Sequence, residues 1–189
     1  MNGRRTLKLQ QQTKRLITIS MLSAISFLLM FIKVPIPFLP PYLTLDVSDV
    51  PALLATFTMG PFAGITVEFI KNLLNFFVNM SDPVGPLANF LAATSFLLTA
   101  YYFTKNKNNN TSLIIGLSIA TIVMTIVLSI LNYFVLLPLY GTIMNLTNVV
   151  ENLKIIIVSG IIPFNIIKGI VVSILFMLLY RRLKNLLPR

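Results

Sequence analysis

The sequence predicts an all-α polytopic membrane protein: six transmembrane helices, the second of them short, with a Pro-rich first loop. Three observations carry that reading. Hydrophobic residues make up 56% of the 189 positions, and the mean hydropathy is +0.87, far above that of a soluble domain. Five long apolar segments recur along the chain, at 16–32, 62–80, 86–104, 111–137 and 155–180. Basic residues crowd both ends: Arg4, Arg5, Lys8, Lys14 and Arg15 at one, Arg181, Arg182, Lys184 and Arg189 at the other. Basic clusters flanking apolar spans set topology. The net charge of +10 therefore points to a lipid bilayer as partner, and not to nucleic acid.

The inventory of reactive groups is small. There is no Cys and no His, which removes thiolate chemistry, imidazole acid–base catalysis and most transition-metal sites. The acidic side chains are Asp46, Asp49, Glu68, Asp82 and Glu151. No GxxxxGK[ST] phosphate loop is present, so the chain does not energise itself with ATP. An enzyme is not expected, and neither a cofactor nor a metal is implied. The organisation expected is a basic cytoplasmic segment at 1–15, one six-helix transmembrane domain at 16–182, and a basic cytoplasmic tail at 183–189.

The first span covers 16–32. Ser20 and Ala24 lie four apart, with Ser23 beside them, and small residues at that spacing let another helix approach closely. Internal packing explains that pattern as well as an outside partner does. The loop that follows holds Pro35, Pro37, Pro40 and Pro41, which exclude helix and favour a stiff extended course. Beyond them Leu43, Leu45 and Val47 alternate with Tyr42, Thr44 and Asp46, so one side is apolar and the other polar. A loop so constrained suits a lid over a cavity.

Ser48 or Asp49 is placed to cap a helix with Pro51 in its first turn. That helix stops near Met59, before Gly60-Pro61. Its length suggests a re-entrant segment, but two basic termini on the cytoplasmic face require an even number of crossings. The short helix is therefore counted as the sixth. The count places Lys105 and Lys107 inside, and 81–85 and 138–150 outside.

The third span carries Glu68, Lys71, Asn72, Asn75 and Asn79 on one helical stripe. Asn89 sits one turn into the fourth span. Asn132 sits near the outer end of the fifth, which Pro138 is expected to close. Ile155 to Tyr180 holds a single charge, Lys168, with Asn165 three residues before it. At ~1.5 Å per residue this segment reaches about 39 Å, beyond a ~30 Å hydrocarbon core. Depth counted from helix rise makes an ion pair of Glu68 with either Lys71 or Lys168 feasible. The asparagines 75, 79, 89, 132 and 165 gather towards the outer half, where buried amides need partners. That bias suggests a ligand offering both donors and acceptors.

The ordered motifs Asp46-Val-Ser-Asp-Val-Pro-Ala-Leu, Gly60-Pro-Phe-Ala-Gly64, Glu68-Phe-Ile-Lys71-Asn72, Val84-Gly-Pro-Leu-Ala-Asn89-Phe, Asn132-Tyr, Pro138-Leu-Tyr140 and Pro163-Phe-Asn165-Ile-Ile-Lys168-Gly169 resemble the riboflavin-specific S component of energy-coupling factor (ECF) vitamin transporters. The resemblance covers roughly 16–182. It implies a multi-pass protein of the bacterial cell membrane, both termini cytoplasmic, binding riboflavin from outside beneath the first loop. It implies partnership with a coupling transmembrane protein and two ATP-binding cassette ATPases. The family's Ala-xxx-Ala coupling contact falls on Ser20 and Ala24, with Ser replacing the first Ala. The substrate-binding residues expected are Tyr42, Leu43, Thr44, Leu45, Asn75, Asn79, Asn89, Asn132, Asn165 and Lys168, with Glu68 and Lys71 as an ion pair. A stand-alone secondary carrier or channel for a small polar solute is the alternative reading of the same residues.

Overall fold

The computed structural model describes residues 2–39, 43–80, 82–105, 109–143 and 152–183, the side chains of 2–8 excepted. Within these residues the chain forms six helices and one small hairpin. They are α1 (Asn2–Leu29), β1 (Val34–Pro35), β2 (Thr44–Leu45), α2 (Asp49–Met59), α3 (Pro61–Val78), α4 (Val84–Thr104), α5 (Asn110–Ile143) and α6 (Leu153–Leu183). Helices α4, α5 and α6 are long and apolar enough to cross a membrane, and α2 is a shorter apolar helix. Lys107, the segment 144–151 that falls largely within the stretch expected outside, and the tail from 184 lie outside the described residues, as does Tyr42.

Several boundaries differ from those expected, each for a local reason. Helix α1 runs unbroken through the 15/16 boundary, because Thr13, Lys14 and Arg15 contain no breaker. It ends at Leu29, short of Ile32. Pro138 does not close the fifth span. A proline inside a helix lacks its N–H and clashes with the carbonyl four residues back. Here Asn132–Leu136 widens into a π turn just before it, and the helix continues to Ile143. The same device recurs in α6, where a π turn at Ile157–Ile161 precedes Pro163. Ser48 makes no side-chain cap on α2. Its hydroxyl instead donates to Asp46 Oδ1, which also accepts from the Ser48 N–H at 2.9 Å.

Helix α2 packs chiefly on α3, α3 also on α1 and α4, and α5 lies between α4 and α6. Gly60, at φ 95°, ends α2 in the left-handed region that glycine tolerates, and Pro61 opens α3. The α2–α3 approach is close: a Cβ at Gly64 would lie 1.8 Å from Thr56 Oγ1 and 2.8 Å from the Ala52 carbonyl. The shared core runs along the bundle through Leu53, Val67, Leu97, Leu117, Met124 and Phe176.

The two ends of the bundle differ. At one end Phe57 contacts Phe176, Tyr180 and Tyr101 at ring-centroid distances of 4.9, 5.6 and 6.3 Å. Arg15 donates to the Met59 carbonyl at this end, and Lys105, Arg181 and Arg182 sit within a turn or two of those rings. At the other end the hairpin pairs Val34 with Leu45 and Pro35 with Thr44, antiparallel. That end holds the site.

Candidate functional site

A cavity of about 370 Å³ opens among the ends of α1, α3, α4, α5 and α6, with the hairpin beside it. This falls in the range of small-molecule pockets, ~300–1,000 Å³. Each element places its contribution for a sequence reason. Asn75 and Asn79 lie four apart on one face of α3, and Asn79 Nδ2 donates to Asn75 Oδ1 at 2.6 Å. Asn89 stands one turn into α4, whose start is pinned by the Gly85 N–H donating to Asp82 Oδ1 at 2.9 Å. Asn132 opens the π turn of α5 and donates to the Leu128 carbonyl at 2.8 Å. Asn165 follows Pro163 and donates to the Ile161 carbonyl at 2.8 Å. In both these asparagines the amide hydrogen holds the helix, leaving the carbonyl oxygen as an acceptor beside the cavity.

Of the residues expected to bind substrate, Leu43, Thr44, Asn75, Asn79, Asn89, Asn132, Asn165 and Lys168 line this cavity. Leu45 does not. It pairs with Val34 in the hairpin, and strand alternation turns its side chain away from the face that Thr44 presents. Sequence reasoning missed Asp46, Asp82, Tyr140 and Phe164, which also line it. Tyr140 Oη donates to Asp82 Oδ2 at 3.2 Å, linking the C-terminal part of α5 to the residues just before α4. Tyr140 and Phe164 both fall within the family-like motifs, two residues after Pro138 and directly after Pro163, and that placement is the available signal. Met30, Pro86, Leu128, Leu137, Ile161 and Phe164 supply the apolar part of the lining.

The electrostatics are concentrated beneath the cavity. Glu68 pairs with Lys71 at 2.7 Å, one of the two pairings expected, and both side chains are fully buried. Lys168 does not pair with Glu68. Its ammonium instead meets Asp49 Oδ2 at 3.0 Å, with Asp46 Oδ2 at 4.0 Å. The physical reason is the start of α2: the helix begins at Asp49, inside the bundle, so its carboxylate reaches the depth of Lys168 first. Lys71 Nζ also meets Asp49, at Oδ1, 2.6 Å. Buried charges persist only when paired and hydrogen-bonded. Each charge here has an opposite partner, and Glu68 Oε1 is the one buried carboxylate oxygen of the cluster without a hydrogen bond among the described residues. Among the described residues no group of His, Cys, Asp and Glu could hold a metal ion.

Ser20 and Ala24 are both exposed on α1, whereas Ser23 is buried and donates to the Ile19 carbonyl at 2.8 Å. Ser23, not the Ser20/Ala24 pair, faces the bundle.

A helical bundle with a cavity of mixed polar and apolar lining beside a loop has the architecture of a substrate-binding membrane protein. Comparison with known proteins makes that class specific. Residues 14–180 match the family of ECF transporter, substrate-specific components. The chain belongs to that family, whose members are transporter components and not enzymes. The riboflavin transporter RibU of Staphylococcus aureus (strain TCH60) is 75% identical over 189 residues, covering 100% of both chains. The riboflavin transporter FmnP of Bacillus subtilis (strain 168) is 44% identical over 177 residues, 92% of this chain and 93% of that one. A solved structure, described as that of the S component of a bacterial ECF transporter, superposes with a TM-score of 0.82 at 72% identity. It covers 94% of this chain and 99% of its own.

Proposed function

We propose that this chain is the riboflavin-binding subunit of an ECF-type transporter, capturing its ligand from outside the cell beneath the first loop. The observation that carries the reading is the cavity itself: Asn132, Asn165 and Lys168 line it together with apolar residues that include Phe164. Riboflavin has a flat ring with a stacking face, an edge of donors and acceptors, and a hydroxylated ribityl chain, which suits both kinds of wall. Identity of 75% to a riboflavin transporter supports the same ligand. Tyr42, Leu43 and Thr44 of the loop join the asparagines and Lys168 as its contacts.

Among the described residues Arg15, Lys105, Arg181 and Arg182 lie towards the end of the bundle opposite the cavity, which supports cytoplasmic termini and an outward-facing site. The chain lies in the bacterial cell membrane and delivers riboflavin only when docked to a coupling transmembrane protein with two ATP-binding cassette ATPases. Ser20 and Ala24, small and outward-facing on α1, are the coupling contact. The test is reconstitution. The purified chain carries the blue absorption of bound flavin, since nothing in its composition absorbs there, and vesicles take up riboflavin only with the energising module and ATP. Gradient-driven uptake by this chain alone would make it a secondary carrier.

A further inference from the structure

The charged groups beneath the cavity do not form separate pairs. They close into a ring. Lys168 Nζ donates to Asn89 Oδ1 at 2.5 Å, and Asn89 Nδ2 donates to Asn72 Oδ1 at 3.2 Å. Asn72 Nδ2 donates to Glu68 Oε2 at 3.2 Å, and the same oxygen meets Lys71 Nζ at 2.7 Å. Lys71 Nζ donates to Asp49 Oδ1 at 2.6 Å, and the other oxygen of Asp49 returns to Lys168 at 3.0 Å. The ring joins α2, α3, α4 and α6.

Its two lysines are not equivalent. An ammonium has three protons to donate. Lys71 gives all three within the protein, to Asp49, Glu68 and Ser48 Oγ, the last at 3.0 Å. It is 0% exposed and does not line the cavity. Lys168 makes two such bonds, to Asn89 and Asp49. Its second carboxylate neighbour, Asp46, stands at 4.0 Å, beyond hydrogen-bond length. One proton of Lys168 is thus left on the cavity side. The ring also reaches the loop. Ser48, which accepts from Lys71, donates to Asp46 of the cavity lining, and Ser26 of α1 donates to the Ser48 carbonyl.

We propose that Lys71, Glu68 and Asn72, none of which lines the cavity, are positioning residues of the binding site. They fix Asp49 and Asn89, and these two between them hold the Lys168 ammonium on its bearing towards the ligand. This rests on the reading of the cavity as a riboflavin site. Residues coupled in one hydrogen-bond network show non-additive effects on mutation, whereas independent sites add. That difference separates positioning from mere support of the fold.

The experiment is a double-mutant cycle on the purified full chain, with riboflavin as the probe, read by equilibrium binding and by thermal unfolding. Asn72→Leu opens the ring between Glu68 and Asn89 at near-constant volume and without removing a charge, so it is the primary variant. Lys71→Met and Lys71→Arg are the second pair. The expected result is that Asn72→Leu and Lys71→Met each weaken riboflavin binding roughly 10- to 100-fold in the wild-type background. Each has less than about a 3-fold further effect when Lys168 is already Met. Lys71→Arg, which keeps the charge and the fork to Asp49 and Glu68, recovers most of the affinity. Additive losses in the Lys168→Met background, or wild-type affinity in folded Asn72→Leu, overturn the proposal. If wild type itself does not bind riboflavin, the ligand assignment fails, and that result is distinct from an additive cycle in a chain that binds.

Discussion

At the scale of single residues, Asn165 and Lys168 divide the work of the sixth helix. Asn165 anchors itself through Nδ2 to the Ile161 carbonyl and offers Oδ1 to the cavity. Replacing it with Leu removes that acceptor at similar volume, so Asn165→Leu should weaken riboflavin binding by roughly 1–3 kcal/mol, the usual cost of an unmade buried hydrogen bond. Isothermal titration on folded protein measures it. Lys168→Met has a second consequence. It leaves the buried Asp49 carboxylate with Lys71 as its remaining cation, which is destabilising. Lys168→Met should therefore lose both affinity and thermal stability. Adding Asp49→Asn should recover stability while binding stays weak, because the unpaired charge is gone but the ligand's donor is still missing. Parallel melting and binding curves of the single and double variants check this.

The residue scale is also where sequence reading reached furthest and failed most instructively. The asparagine positions were legible because amides in an apolar context need partners. The Glu68–Lys71 pair was legible because residues three apart share a helical face. The partner of Lys168 was not. Depth estimated from helix rise treats every helix as starting at a membrane surface, and α2 starts at Asp49, buried within the bundle. Asp82 was hidden for a related reason: it belongs to a connection whose course no periodicity predicts. Asp46 fell on the polar side of the alternating loop, beside Thr44, but alternation alone does not mark a polar residue as a cavity contact.

At the scale of elements, α2 is the piece that arranges the site. It is short, ends at Gly60, and turns its buried Asp49 towards α3 and α6 while Thr56 meets Gly64. Its existence and both ends were readable from Ser-Asp-Val-Pro and Gly-Pro. The π turns of α5 and α6 were not, since a proline in sequence signals a helix end or a kink equally well. Helix α1 carries the other element-level prediction. Ala24 and Ser20 face away from the bundle, so Ala24→Leu should leave riboflavin affinity and melting temperature unchanged. It should instead reduce ATP-driven uptake and co-purification with the coupling protein, because a bulky side chain blocks close helix approach. Joint loss of binding and transport would return Ala24 to a packing role.

At the scale of the whole molecule, the basic residues Arg15, Lys105, Arg181 and Arg182 lie towards the end away from the cavity, and the positive-inside rule predicts that this end faces the cytoplasm. A cysteine placed at Lys105 in this Cys-free chain should react with a membrane-impermeant maleimide only after the cells are opened. One at Met80, which is exposed near the cavity end, should react in intact cells. Reversal of the two would invert the topology.

The central claim is that the cavity beneath the loop is where riboflavin binds, and filling it tests that claim most directly. Ala88 lines the cavity and is partly buried at its wall on α4, so Ala88→Phe adds bulk to the space while leaving every charged residue of the ring in place. Flavin fluorescence, titrated with purified wild type and Ala88→Phe of matched thermal stability, is the measurement. The account predicts saturable quenching with one flavin per chain for wild type and loss of at least about 100-fold in affinity for the filled cavity, as overpacking a close-fitting site demands. Equal affinity in the two proteins would contradict it and place the ligand elsewhere.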